Sequence, residues 1–219
     1  MSEPVRFHVD RPEARNRLTG IFRPILVVPH ALLVGGPLFG TGVATVRTGA
    51  LGLLAYTIAV LDWFAILFTG RPIAGLQGLK RLYLRWRARV LAYACFLRDE
   101  YPPFGDGDYP ASVELPEEPS TRNVGAVALR IFLILPHLIV LALLMLAELV
   151  VVIVSWLSIL FAGRLGDSLW RFSRDAMAYL LRVEAYALLV HDEYPPFRLA
   201  EPEAARPIGT EREPSPERG

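Results

Sequence analysis

Asp99-Glu-Tyr-Pro-Pro-Phe104 recurs as Asp192-Glu-Tyr-Pro-Pro-Phe197, and the residues upstream of the two copies align as well. An offset of 107 lays Arg130 on Arg23 and Pro136-His137 on Pro29-His30; an offset of 93 lays Trp156 on Trp63, Gly163-Arg164 on Gly70-Arg71 and Tyr186 on Tyr93. The two offsets differ by 14 residues, an insertion in the first copy near Gly35 to Ala50. A tandem duplication means that whatever one half folds into, the other must fold into too. Its two halves must also fit each other.

The repeated unit is built around apolar runs: Ile21 to Leu38, Leu51 to Phe68, and Val124 to Ala162 broken only by Arg130, His137 and Glu148. With 53% hydrophobic residues and a mean hydropathy of +0.36, the chain exceeds the roughly 45–50% apolar content of ordinary soluble domains. Each run can supply the ~20 residues that cross a ~30 Å hydrocarbon core. The first 19 residues carry Arg6, Arg11, Arg15 and Arg17 without a short apolar core and a small-residue cleavage site, so they do not read as a removable signal. A single cysteine, Cys95, excludes an internal disulfide and a multi-cysteine metal centre.

Each copy opens on an alternating stretch, Val5 to Val9 and Ala111 to Leu115, with the period of a half-buried strand. Two such leaders are expected to pair, since a lone strand leaves its backbone groups unsatisfied. First spans follow at about 19–38 and 124–145, kinked by Pro29 and Pro136. Second spans follow at about 50–69 and 147–162. The second hairpin has almost no residues for a turn, which leaves open a tight hairpin or one dipping into a single leaflet. Beyond Gly70-Arg71 and Gly163-Arg164 the pattern becomes amphipathic: Leu79, Tyr83, Trp86, Val90 and Tyr93 share one face while Arg81, Arg85 and Arg89 lie on another. The spacing predicts interfacial helices. The expected fold is an all-α integral membrane protein of two helical hairpins, about four transmembrane helices. Each hairpin carries an amphipathic helix and a short cytoplasmic strand leader. The repeats occupy 1–104 and 111–197, with a linker at 105–110 and a disordered tail at 198–219. With two spans per copy, 22 of the 23 Lys and Arg residues fall on one side, and only Arg47 on the other. That bias places both termini in the cytoplasm.

With Pro-His in the first span, Trp-x-x-Ile-Leu-Phe-x-Gly-Arg closing the second and Asp-Glu-Tyr-Pro-Pro-Phe after the amphipathic helix, the chain resembles an uncharacterised domain-of-unknown-function family. That family comprises small prokaryotic multi-pass membrane proteins that carry the unit once or twice. The resemblance covers about residues 5–197 and implies an integral prokaryotic inner-membrane protein. It brings no activity and no catalytic residues.

Polar residues inside the apolar runs are the candidate sites. His30 and His137 follow the kinking prolines, where they can bond a freed carbonyl or a neighbouring helix, or between them bind a haem. Arg23 and Arg130 lie seven residues earlier on nearly the same face, placed to snorkel or to hold lipid phosphate. Asp62 is the one acidic residue well inside a predicted span. It reads as an ion-pair partner of Arg23 or as a group for ion coupling. Glu148 is expected in the far-side turn. Arg71, Arg81, Arg85, Arg89, Arg164, Arg174 and Arg182 form a basic belt for anionic headgroups. Tyr101, Pro102, Pro103 and Phe104, with Tyr194, Pro195, Pro196 and Phe197, stop the helices and anchor at the interface.

No phosphate loop, nucleophile elbow or zinc-protease motif occurs. The expectation is a non-enzymatic protein without cofactor or nucleic-acid partner, acting as a scaffold or accessory subunit. It would engage anionic lipid, a protein partner or a second copy, and wedge-like hairpins inserted from one side would curve the membrane. The alternatives are a small transporter or channel subunit using Asp62, His30 and His137, and a haem-bearing electron carrier.

Overall fold

Asn123 starts the longest helix: in an extended conformation, its side chain accepts a hydrogen bond from the Ala126 amide at 3.1 Å, satisfying one of the free donors of the first turn. From there 39 residues run to Ala162 without a break, through Pro136 and through the expected turn near Ala147. Gly163, left-handed at φ 68°, ends it. Met145 to Glu148 are all helix formers, so nothing in the sequence stops the helix there. This replaces the predicted second hairpin: the second copy has one helix, about 58 Å long at 1.5 Å per residue. Glu148, expected in a turn, sits in its interior and is wholly buried.

The computed structural model describes residues 5–12, 15, 17–36, 44–117 and 122–199. Most of the predicted disordered tail and the side chain of Arg47 lie outside them. The elements are β1 (Arg6–Val9), α1 (Arg17–Leu26), α2 (Val28–Val34), α3 (Ala44–Thr69), α4 (Gln77–Ala94), β2 (Ala111–Glu114), α5 (Val124–Ala162) and α6 (Asp167–Ala187).

The first copy builds the same long helix from pieces. α1 runs into α2 through Val27, whose backbone is itself near-helical, with bonds from Val27 N to Arg23 O and from Ala31 N to Val27 O. By the two offsets, Val34 corresponds to Leu141 and Gly49 to Ala142. Residues separated by the 14-residue insertion thus align with neighbours in α5. The geometry agrees, because a Cβ on Gly49 would lie 2.3 Å from the carbonyl carbon of Leu33 and 2.5 Å from the amide nitrogen of Val34. Gly49, at φ 68° and ψ 177°, is non-helical inside α3. The insertion therefore leaves the helix after Val34 and rejoins it at Gly49. Arg87 donates to the Val34 carbonyl at 2.6 Å, capping the end that the excursion exposes.

The two long helices run antiparallel and touch near both ends. Trp63 Nε1 donates to the Val127 carbonyl at 2.9 Å, and its counterpart Trp156 donates to the carbonyl of Gly20, the counterpart of Val127, at 3.0 Å. α4 packs on α2 and α3, α6 on α5, and α4 on α6. The leaders pair as expected, antiparallel with Phe7 opposite Val113, and they cross over: β2 packs on α4 and β1 on α6.

α4 and α6 are interior helices rather than interfacial ones. Between Tyr83 and Tyr93 every α4 residue except Arg85 is buried, and α6 is buried throughout from Ala176 to Tyr186. The ribbon and the segment after each helix cover the faces that sequence assigned to headgroups. The exposed apolar surface belongs instead to the long helices: Phe132, Ile139, Leu143, Leu146, Val150 and Phe161 all lie open on α5, whereas its Arg130, His137, Glu148 and Ser155 are buried.

Candidate functional site

The polar chemistry is concentrated beneath the long helices, where the repeated Asp of each hexapeptide is the organising acid. Asp99 Oδ1 accepts from Arg23 at 2.6 Å and Arg15 at 3.2 Å. Asp192 Oδ1 accepts from Arg130 and Arg122, both at 2.9 Å. The offset of 107 carries Arg15 to Arg122 as well as Arg23 to Arg130, so the two knots match residue for residue. Arg23 also donates to the Tyr93 carbonyl at 2.6 Å and Arg130 to that of Tyr186 at 2.9 Å, each guanidinium lying over the ring of the same tyrosine. Each knot ties the start of a long helix to the end of its partner helix. Arg23 thus pairs with Asp99, not with Asp62 as sequence suggested.

The rest of the hexapeptide closes over the histidines. His30 stacks on Phe104 at 4.2 Å between centroids, with Tyr101 at 4.9 Å, and its Nδ1 accepts from Trp86 Nε1 at 3.1 Å. His137 stacks on Phe197 at 4.2 Å beside Tyr194, and its Nδ1 meets the Tyr179 hydroxyl at 2.7 Å. Each ring is fully buried in its own aromatic cage, and neither Nε2 has a hydrogen-bond partner. Phe104 and Phe197 remain more than half exposed on their outer faces.

The buried carboxylates differ between the copies. Asp62 is saturated by Lys80 Nζ at 2.7 Å, Gln77 Nε2 at 2.8 Å and the Ile73 amide at 2.8 Å. Glu184 on α6 pairs with Arg87 on α4 at 2.7 Å. Of the predicted headgroup arginines, Arg89 binds Asp106 and the Gly105 carbonyl, Arg85 binds Asp106, Arg81 binds the Pro116 carbonyl, Arg174 binds Asp175, and Arg182 binds the carbonyls of Arg198 and Leu199. Arg71 and Arg164, at the ends of the long helices, stay exposed.

A cavity of about 310 Å³ opens between α3 and α5, lined chiefly by Tyr56, Trp63, Phe64, Ile131, Ile134 and Leu189, with Arg130 at its wall. In the other half Phe96 replaces Leu189 and lies 4.4 Å beneath the Arg23 guanidinium.

His191 separates Asp192 from the end of α6, with both ring nitrogens unpartnered. Burial, joined by Arg130 and Arg122 against the weaker pull of Asp192, pushes its imidazole down to about 4. The unfolded chain takes up a proton near 6.5 and the folded chain does not. The resulting stability is complete above 6.5 and falls as pH drops toward 4, by about 3 kcal/mol in all. Thermal melts at pH 7 and pH 4.5 are expected to show a larger loss in the native protein than in His191→Gln.

The family model described as Domain of unknown function (DUF4389) matches residues 43–105 and again 125–198, together more than half of the chain. The chain belongs to this family. The double match is consistent with a tandem duplication of the DUF4389 unit. The second match begins at the start of α5, whereas the first begins within the excursion, at residue 43, and omits α1 and α2. No curated protein and no solved structure matches the chain.

Sequence reading identified Arg23, Arg130, His30 and His137 but missed their partners. Asp99 and Asp192 stood in the repeated motif, and a repeated acid is the natural partner for a repeated buried base. Lys80, the only lysine, was overlooked as the partner of Asp62 because it was assigned to a headgroup-facing helix. Among the described residues, no three His, Cys, Asp or Glu side chains come together as a metal-binding group.

Proposed function

We propose that this DUF4389 protein is a non-enzymatic scaffold or accessory subunit of the prokaryotic inner membrane, embedded in the cytoplasmic leaflet with its two long helices lying in the membrane plane. One observation carries this reading. The open apolar face of α5 extends from Leu129 to Phe161, about 50 Å of helix, against a hydrocarbon core of ~30 Å. Every charged side chain of α5 is turned the other way.

Spanning is disfavoured on a second count. Arg85 and Asp106 are about 40% exposed next to the His30 cage, roughly a third of the way along the long helix. A spanning orientation would draw them toward hydrocarbon, at roughly 2.5–3.5 kcal/mol per central charge. Lying flat, the layer keeps α4, α6 and the ribbon on one side. Exposed Arg17 and Arg164 then mark one end of the layer and Arg71 the other, all at headgroup depth, where each basic residue near anionic lipid contributes about 1 kcal/mol. Insertion from one side also expands one leaflet, so membrane curvature accompanies binding.

The transporter reading has less support, since Asp62 is fully engaged by Lys80, Gln77 and the Ile73 amide. The deciding measurement is a depth profile. Spin labels at positions 132, 143, 150 and 161, read against lipids quenched at known depths, are expected to report one shallow depth within a single leaflet. A profile descending through the midplane and rising on the far side would replace this orientation with a spanning one.

A further inference from the structure

Matching the two copies position by position exposes an imbalance of charge. In the first copy, Ala55, Asp62 and Lys80 line the contact between the long helix and its partner, and the carboxylate holds an ammonium at 2.7 Å. In the second copy the same three places carry Glu148, Ser155 and Ser173. The carboxylate has moved two helical turns along the same face, and the ammonium has become a hydroxyl.

Glu148 is wholly buried, and Ser155 and Ser173 are 1% exposed. Both Glu148 oxygens and both serine hydroxyls lack hydrogen-bond partners. The Ser173 hydroxyl and the Cys95 thiol lie beside the carboxylate without meeting normal bonding geometry. No ionised partner faces Glu148 from α4 or α6: the Arg87 guanidinium between them is held by Glu184 and the Val34 carbonyl, and that of Arg23 by Asp99. A buried carboxylate with no counter-charge is strongly disfavoured, so one positive charge from outside the chain completes this site.

We propose that Glu148, with the Ser173 hydroxyl beside it, forms a binding site for one exchangeable monovalent cation, either a proton or an alkali-metal ion, which supplies the positive charge that the Lys80 ammonium supplies in the first copy. The carboxylate and the Ser173 hydroxyl supply oxygen ligands, the donor type that suits a hard cation. The site is fixed by the α5–α6 contact and is independent of how the long helices lie in the membrane.

The test measures thermal stability of the detergent-solubilised full chain in two titrations, one of sodium, potassium or lithium at fixed pH and the other of pH at fixed salt, for the native protein, Glu148→Gln and Ser173→Lys. An alkali-ion occupant raises the native melting temperature by about 3–6 °C per tenfold increase in that ion above its dissociation constant. A proton occupant leaves the salts without effect and makes the native protein lose stability relative to Glu148→Gln as pH rises. That comparison subtracts the His191 contribution. Ser173→Lys, which returns an ammonium to the site, is expected to abolish either response. Native protein and Glu148→Gln responding identically in both titrations would overturn the proposal; should Ser173→Lys not fold, this comparison still decides it.

Discussion

Lys80→Ala is expected to be among the most damaging single substitutions in the protein, lowering its stability by about 3–5 kcal/mol, the usual cost of stripping one partner from a buried ion pair. Lys80 and Asp62 are both 0% exposed. Once the ammonium is gone, Gln77 and the Ile73 amide still donate to the carboxylate but bring no net charge. The second copy supplies the control. It carries serines at both positions, so the double replacement Asp62→Ser/Lys80→Ser is expected to recover a large part of the loss, because it removes the stranded charge and leaves two neutral hydroxyls. Thermal or denaturant unfolding of the three proteins checks both halves of the expectation. A double variant as unstable as Lys80→Ala would show that packing, rather than charge, sets the cost.

Gly49→Ala is the second large effect. A methyl group there would meet Leu33 and Val34 backbone atoms at 2.3–2.5 Å, and backbone cannot rotate aside as a side chain can. The residue also sits at φ 68° and ψ 177°, a region that is essentially glycine-only. Strain and overpacking together are expected to cost at least about 3 kcal/mol. The matched position in α5 is Ala142, where Ala142→Gly is expected to cost only about 1 kcal/mol through helix propensity. The same pair of amino acids, exchanged in opposite directions at equivalent positions, should therefore differ several-fold in effect. Equal losses would mean that the excursion does not rejoin its helix at Gly49.

Much of the architecture could be read from the chain because duplication doubles every signal. The leader strands, the site of the insertion and the helices before and after it were all visible as matched patterns. The misreadings share a cause. Hydropathy reports that a segment is apolar but not whether it turns, and Val124 to Ala162 was divided at Ala147 because two spans were expected there, although no glycine or proline stands at that point. α4 and α6 were given to headgroups for a related reason. Regularly spaced arginines look the same in sequence whether water or a carboxylate receives them, and only the fold brings Asp106 and Glu184 within reach. The repeated Arg23 and Arg130 were found, whereas Glu148 was assigned to a turn and Ser173 was passed over. Their meaning lies in a difference between the copies, and that difference becomes legible only once Lys80 is seen to hold Asp62.

The reciprocal tryptophan bonds, Trp63 to Val127 and Trp156 to Gly20, bear on how the unit is completed. Neither repeat satisfies the indole donor of this tryptophan; each finds its acceptor on the other. The same holds for the leaders, which cross over to the opposite partner helix. Half of this chain expressed alone would thus present a self-complementary surface, the condition for a closed two-fold homodimer. The linker between the halves replaces that bimolecular encounter with an intramolecular one at millimolar effective concentration. It also frees the two halves to diverge, so that one can keep its internal ammonium while the other leaves that place to an ion from outside.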